Sequence, residues 1–166
     1  MLDFVSLLER HRIERMADVR RYPASRRHPH FDSAPLREEL ETRGIGYRWF
    51  EDLGGRRSGQ GSESPNMGIE NAGFRGYADY MQTPRFSHAF DALVEALDVG
   101  RTAIMCAEAL WWRCHRRLLS DLLVHRGTTV NHILSDGRSA RHELWDLARP
   151  TSEGLVYPPI QSDLEI

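Results

Sequence analysis

The sequence predicts a single α/β domain, a three-layer sandwich in which helices cover both faces of a mostly parallel β-sheet. Its 166 residues are the length of one compact domain. Hydrophobic residues make up 40% of the chain and charged residues 28%, which is typical of globular rather than disordered proteins. Short apolar runs alternate with segments of helical periodicity, and this alternation is typical of parallel strands joined by right-handed crossovers.

The predicted elements follow one another from the N-terminus. Apolar residues at helical spacing predict a first helix over residues 2–12, and the short apolar run at 16–19 predicts a first strand. Aromatic residues favour a strand at 46–50. The other predicted elements are helices at 33–44, 74–81, 84–100 and 113–126 and buried or final strands at 102–105 and 128–134.

These elements predict one domain over residues 1–147 and an irregular tail over 148–166, because Pro158 and Pro159 disfavour regular structure. Glycine, serine and asparagine are frequent in residues 52–73. Such a long segment without periodicity is typical of a functional loop.

Composition excludes several classes of function. The chain contains no lysine, and all 22 basic residues are arginine, which excludes Schiff-base chemistry, a lysine base and a P-loop lysine. Any anion site must therefore use guanidinium groups, backbone N–H groups or histidine. The net charge of -2 also argues against a globally basic nucleic-acid binder.

The sequence predicts a cytoplasmic protein with no membrane partner. Two cysteines, Cys106 and Cys114, are too few for a disulfide framework and indicate a reducing compartment. No apolar run approaches the roughly 20 residues that a membrane helix needs. The first helix is amphipathic, unlike the charged and then apolar pattern of a secretion signal.

Candidate ligand-binding residues follow the predicted strands, because ligands of open parallel sheets gather beyond the carboxyl ends of the strands. Arginine is frequent there, with twelve arginines against eight acidic residues between Arg10 and Arg57. Guanidinium groups bind phosphate in a bidentate manner. Asp18, at the end of the first strand, is a candidate catalytic residue. The candidates for holding an anion are Arg20, Arg26, Arg56, Arg113 and Arg116.

A cysteine that directly follows a predicted strand is the strongest local signal. Cys106 precedes a helix, and the N–H groups at a helix start hold anions and favour a thiolate. Cys106 is therefore a candidate nucleophile, although a cysteine at a strand end is more often inert. His115 is the candidate proton donor or acceptor, with Glu108 orienting it. Trp111 is a candidate for stacking on a ring of the ligand.

A metal site is an alternative for the same segment. Cys106, Cys114 and His115 offer soft and borderline ligands, but seven residues separate the two cysteines, a longer gap than zinc sites usually show. We therefore expect no cofactor and keep the metal site as the weaker alternative.

Several short motifs together resemble one protein family. They are Asp18-Val-Arg-Arg-Tyr-Pro-Ala-Ser-Arg26, Leu53-Gly-Gly-Arg56, Phe74-Arg-Gly-Tyr-Ala-Asp-Tyr-Met81, Met105-Cys-Ala-Glu108, Arg113-Cys-His-Arg116 and His132-Ile-Leu134. From about residue 2 to about residue 147 the chain resembles the domain-of-unknown-function family 488. The resemblance implies a single cytoplasmic α/β domain and carries no settled activity.

The leading hypothesis is a pocket for a phosphate-bearing ligand, such as a nucleotide or a nucleic-acid end, with Cys106 as nucleophile. The sequence leaves two alternatives open. One is a non-catalytic module that binds nucleic acid or a protein, and the other is a metal-dependent enzyme using Cys106, Cys114 and His115. The leading hypothesis requires side chains that are distant in sequence to meet at one rim of the folded sheet.

Overall fold

The computed structural model describes residues 1–160, apart from the side chain of Leu2. The helices in this range are α1 (Leu2–Arg10), α2 (Ser33–Thr42), α3 (Ala72–Tyr80), α4 (Pro84–Leu97) and α5 (Arg116–His125). The strands are β1 (Arg15–Asp18), β2 (Gly46–Trp49), β3 (Thr102–Met105), β4 (Asn131–Ile133), β5 (Ser139–Arg141), β6 (Arg149–Thr151) and β7 (Gly154–Val156). None of these helices is both long and apolar enough to cross a membrane.

The chain divides into two compact units, which are described separately. Unit 1 comprises Met1–Gly55 and Pro84–Ala109. Unit 2 comprises Arg56–Thr83 and the chain from Leu110 onward.

Unit 1 contains a three-stranded parallel sheet in the order β2-β1-β3. β1 is central, and each of its residues after the first is buried. The register aligns Asp18 of β1 with Trp49 of β2 and with Met105 of β3. Because the three strands are parallel and in register, their carboxyl ends lie at one edge of the sheet.

Apolar stripes on the helices of unit 1 supply its core. The buried side chains recur at spacings of three and four residues, which places them on one face of each helix. They are Val5 and Leu8 of α1, Leu36 and Leu40 of α2, and Phe86, Phe90 and Leu93 of α4.

Unit 2 combines α3 and α5 with two antiparallel hairpins, β4–β5 and β6–β7. The buried face of α5 carries four leucines: Leu118, Leu119, Leu122 and Leu123. Before α3, the chain is held by Asp79 of that helix. The carboxylate of Asp79 accepts hydrogen bonds from Gln60 N (2.7 Å), Ser64 Oγ (2.5 Å) and Asn66 Nδ2 (2.8 Å). The glycine-rich segment is therefore anchored by a buried carboxylate.

The mixed α/β class is confirmed, but the predicted three-layer sandwich is wrong. The parallel sheet has only three strands in residues 1–160, and β3 is a half-buried edge strand rather than a buried one. The predicted last strand at 128–134 shortens to β4 and pairs antiparallel with β5. The cause is the turn before β5, where Gly137 adopts φ +82° and Leu134 N donates to Arg138 O at 2.8 Å. Such a tight turn returns the chain beside itself, which permits only antiparallel pairing.

The predicted irregular tail contains regular structure. β6 and β7 pair at 149–156, and Gly154 adopts φ +139° at the start of β7. Pro158 and Pro159 lie beyond this hairpin and leave it intact. Residues 161–166 of the tail lie outside the described residues. The single domain over residues 1–147 stays a prediction.

Gly54 is predicted to tolerate no side chain. A Cβ at this position would lie 2.5 Å from Cα and 2.6 Å from N of Arg21, and backbone atoms cannot rotate away. We expect Gly54→Ala to lower the free energy of unfolding by about 2 kcal/mol or more. In the control Gly46→Ala the nearest atoms lie 3.9 Å from the new Cβ, so we expect a change within about 0.5 kcal/mol. Urea unfolding measures both variants, and equal losses would contradict the close approach of Gly54 to Arg21.

Candidate functional site

An ion pair between Asp18 and Arg20 lies where β1 ends. Asp18 is fully buried, and its carboxylate accepts hydrogen bonds from Nε of Arg20 at 2.9 Å and from Nη2 at 2.6 Å. The Arg20 backbone N–H donates to the same carboxylate at 3.0 Å. Tyr47 of the neighbouring strand β2 adds its hydroxyl at 2.6 Å. The parallel pairing of β1 and β2 thus assembles this cluster.

These contacts engage most donors of Arg20. Its Nη1 donates to the carbonyl of Phe31 at 2.7 Å, so all three side-chain nitrogens have protein acceptors. Burial alone would lower the pKa of Arg20, but the hydrogen bonds and the charge of Asp18 raise it. Burial also raises the pKa of Tyr47, as does its hydrogen bond to Asp18. The cluster is therefore a charged arginine paired with a carboxylate and a neutral phenol.

The other predicted site residues of unit 1 lie in loops. Cys106 is half-buried and directly follows β3, at the edge where the strands end. Glu108 is exposed two residues later. Arg26 is exposed in the loop after β1.

The predicted site residues are divided between the two units. Asp18, Arg20, Arg26, Cys106 and Glu108 belong to unit 1, and Arg56, Trp111, Arg113, Cys114, His115 and Arg116 belong to unit 2. The common pocket for all of them stays a prediction, and so does the metal site of Cys106, Cys114 and His115. Arg56 is exposed with φ +59°, and Arg113 is exposed at the end of a short 3-10 helix.

Three hydrogen-bond contacts converge on the sulfur of Cys114, which is buried just before α5. The backbone N and the Nε of Arg116 each lie 3.4 Å from Sγ, and Nδ1 of His115 lies 3.5 Å from it. The N–H of Cys114 donates to the carbonyl of Trp111 at 3.2 Å. A cationic side chain, a helix start and a neighbouring imidazole are the groups that favour a thiolate over a thiol.

A chain of buried histidines ends on Asp121 of α5. Nε2 of His132 lies 2.8 Å from Nδ1 of His142, and Nε2 of His142 lies 2.8 Å from Oδ1 of Asp121. β4 carries His132, and His142 directly follows β5. Asp121 is fully buried and also accepts the Trp145 backbone N–H at 2.9 Å and the Tyr157 hydroxyl at 3.0 Å.

The surroundings of His132 favour its neutral form. Burial lowers the pKa of His132 to about 4, and the charges of His142 and Arg116 act in the same direction. The indole of Trp111 stacks on the His132 ring, with centroids 3.7 Å apart and planes 2° apart. At the other end of the cluster, burial and the Asp121 charge raise the pKa of Tyr157, so its hydroxyl stays a donor.

No pattern in the sequence predicts this cluster. His142 lies ten positions after His132, and the β4–β5 register, which aligns His132 with Ala140, brings them together. Asp121 looks like an ordinary polar residue among the leucines of α5. The one available signal was His132, which lies in a motif of the family resemblance.

The chain matches a known family over most of its length. A family model described as "Domain of unknown function DUF488" matches residues 2–123. The matched range ends inside α5, so the motif at His132 lies beyond it. Among curated proteins and solved structures no similar chain is found.

His132 is predicted to make the fold less stable in mild acid. Histidine in an unfolded chain titrates near pH 6.5, whereas folded His132 titrates near pH 4. Its contribution to stability is therefore complete above about pH 6.5 and is lost as the pH falls towards 4. We expect the melting temperature of His132→Gln to depend less steeply on pH than that of the unmodified protein between about pH 4 and 6.5. His125→Gln, at an exposed position of α5, should keep the slope. An unchanged slope in H132Q would contradict a neutral, buried His132.

Proposed function

The chain belongs to the DUF488 family, and we propose that it binds a phosphate-bearing ligand at the start of α5 and attacks it with the thiolate of Cys114. The observation that carries the proposal is the set of three contacts on Cys114 Sγ. Two of them come from groups that can only donate, and donors on sulfur stabilise negative charge there. The nucleophile and the anion site then lie on the same short segment of unit 2, at the start of α5.

His115 and Arg116 have separate roles at the sulfur. Nδ1 of His115 is placed to take the thiol proton, and the two N–H donors of Arg116 stabilise the thiolate that remains. The start of α5 acts in the same direction, because N–H groups at a helix start carry partial positive charge. The Tyr77 ring packs against the His115 ring with centroids 4.9 Å apart, which limits movement of the imidazole.

The charge around α5 favours an anionic ligand. Between Leu110 and Gly127 the chain carries four arginines and one acidic residue, Asp121. Asp121 is buried and accepts three hydrogen bonds from other groups. Since the chain has no lysine, Arg113 and Arg116 supply the cationic groups, and guanidinium binds phosphate in a bidentate manner.

Trp112 replaces Trp111 as the ring that would stack on a ligand base. One face of the Trp111 indole is covered by His132. Trp112 is 44% exposed and lies edge-on to Trp111, with centroids 5.6 Å apart. An exposed indole beside arginines fits a ligand that carries both a phosphate and an aromatic ring.

The proposal differs from the sequence-based hypothesis in its nucleophile, in its stacking ring and in its arginines, of which it keeps Arg113 and Arg116. Arg20 is left out because Asp18 and Phe31 accept from its side-chain nitrogens. Cys106 stays a candidate, since it is more exposed than Cys114, which is 3% exposed. Exposure favours alkylation of Cys106, whereas the surrounding donors favour thiolate formation at Cys114, and the pH dependence of alkylation separates these two effects.

Alkylation measured against pH tests the nucleophile. Only Cys114 can react in Cys106→Ser, and only Cys106 can react in the matched variant Cys114→Ser. We expect the iodoacetamide rate of C106S to be level above about pH 7, because its thiolate is already formed. The rate of C114S should still rise through about pH 8.5, as for an ordinary thiol. The reverse result would return the nucleophile to Cys106.

Protection by inorganic phosphate tests the ligand. At a phosphate concentration about ten times its dissociation constant, we expect alkylation of C106S to slow about tenfold. Arg116→Gln should abolish this protection, because it removes the guanidinium beside the sulfur. Arg138→Gln, at an exposed position of the same unit, should retain it. If phosphate never slows alkylation, the chain does not hold its ligand in this way.

A further inference from the structure

The chain of His132, His142 and Asp121 takes no part in the phosphate binding proposed above. All three side chains are buried. Apolar side chains would fill the same space without removing two imidazoles and a carboxylate from water, which costs free energy. The cluster therefore calls for a role that uses its hydrogen bonds.

The bonds at Asp121 select the tautomer of both imidazoles. The N–H of Trp145 and the hydroxyl of Tyr157 donate to the carboxylate, one to each oxygen. Nε2 of His142 also faces a carboxylate oxygen, so it carries the proton of that ring. Nδ1 of His142 then has a lone pair, and Nε2 of His132 donates to it. The lone pair left over is the one on Nδ1 of His132.

Nδ1 of His132 is the ring nitrogen that does not face His142. Within residues 1–160, no buried side-chain nitrogen or oxygen lacks a hydrogen-bond partner. His132 makes its hydrogen bond through Nε2. Nδ1 is therefore not completely sealed from solvent, although His132 as a whole is only 8% exposed. Trp111 covers a face of the ring, whereas the Nδ1 lone pair lies in the ring plane, so the stacked indole does not cover it.

Two residues link His132 to Cys114. Trp111 stacks on the His132 ring, and its carbonyl accepts the N–H of Cys114. Nε of Arg116 lies 3.4 Å from the Cys114 sulfur, and the Arg116 charge also acts on His132. The imidazole and the sulfur therefore share two neighbours within unit 2.

We propose that His132 is a catalytic general base, which activates the water that hydrolyses an ester-derived intermediate on Cys114. His142 and Asp121 are positioning residues that keep Nδ1 of His132 unprotonated. The proposal rests on the proposed function, from which it takes Cys114 as nucleophile. It assigns hydrolysis of a phosphate or carboxylate ester to the site.

The two steps balance with water as the only co-reactant. In the first, the Cys114 thiolate forms a bond to phosphorus or acyl carbon, and the ester oxygen leaves with its electron pair. That oxygen takes the proton that His115 accepted from the thiol. In the second, a water oxygen bonds to the same atom while Nδ1 of His132 takes a water proton. The bond to sulfur breaks, its electron pair regenerates the thiolate, and His132 releases its proton to solvent.

The charge around His132 suits this order of events. With a pKa of about 4, His132 is neutral at pH 7, and in the absence of a ligand it is only a weak base. Arg116 is one of the charges that lower this pKa. An anion bound at Arg116 offsets that charge, so His132 becomes a stronger base once the ligand is in place.

Burst kinetics with p-nitrophenyl acetate test the base. This ester acylates thiolates and carries no phosphate, so it isolates the second step. The C106S chain should release p-nitrophenolate continuously. Adding His132→Gln should end release after about one equivalent per chain, with acetyl-Cys114 found by mass spectrometry. We expect the steady rate to fall at least about 100-fold. His125→Gln should keep both phases.

Two further variants separate catalysis from folding. Imidazole added to His132→Ala should restore part of the steady rate, because it replaces the missing base. His142→Asn should keep the burst and lower the steady rate about tenfold, because it acts through the orientation of His132. No imidazole rescue in a folded H132A chain would overturn the assignment.

The outcomes separate this proposal from the proposed function. An H132Q chain that turns over the acetate as fast as C106S overturns the base. A C106S chain that is acylated once and never deacylated also overturns the assignment of His132 as the base. If H132Q blocks deacylation but phosphate never slows the burst, the base stands and the phosphate ligand is wrong. If phosphate slows the burst and H132Q changes nothing, the ligand stands. If Cys114 is never acylated, both proposals are wrong.

Discussion

The carboxylate of Asp121 receives three hydrogen bonds at a position without access to water. The donors come from three separate parts of unit 2: His142 after β5, the backbone at Trp145, and Tyr157 beyond β7. Burying a carboxylate costs free energy unless its oxygens accept hydrogen bonds from the surrounding protein. This requirement constrains the three segments to meet at α5. The order of the C-terminal part of the unit and the tautomers of its buried histidines follow from this one side chain.

The candidate site and this constraint meet through α5. The first turn of the helix places Arg116 against the Cys114 sulfur, and its second turn places Asp121 at the end of the histidine chain. Trp111 joins the two ends, since its ring lies on His132 and its carbonyl holds the N–H of Cys114. The Arg116 guanidinium thereby lies where a thiolate and an anionic ligand would be, and the Asp121 carboxylate lies in the interior. This division of charge is what the proposed chemistry requires.

Local patterns predicted the elements that depend on local interactions. The three parallel strands were predicted to within about one residue because short apolar runs and flanking helices specify them. The helices predicted at 33–44 and 113–126 end within two residues of the predicted positions, beside Gly44 and Gly127, which both adopt positive φ. Pairing partners depend on tertiary contacts, so the segment at 128–134 was assigned to the parallel sheet, although the turn at Gly137 directs it into a hairpin.

The difference between local patterns and tertiary contacts also explains what was predicted of the site. Cys114, His115 and Arg116 were each named from the sequence, although Cys114 was named only as a possible metal ligand and His115 as the partner of Cys106. Asp121 received no role, since its partners lie 21 to 36 residues away. Arg20 was assigned to an anion, yet Asp18 lies two residues before it, and the pair meets at the end of a strand. Sequence alone does not show whether such an arginine binds a ligand or a neighbouring carboxylate.

The protonation of His132 tests the central claim most directly. Nitrogen-15 NMR of histidine side chains distinguishes a ring nitrogen that carries a proton from one that does not. At pH 7 we predict a proton on Nε2 of His132 and none on its Nδ1, so that this ring is neutral. A proton on Nδ1 of His132, or a doubly protonated ring, would contradict a base whose lone pair is set by Asp121.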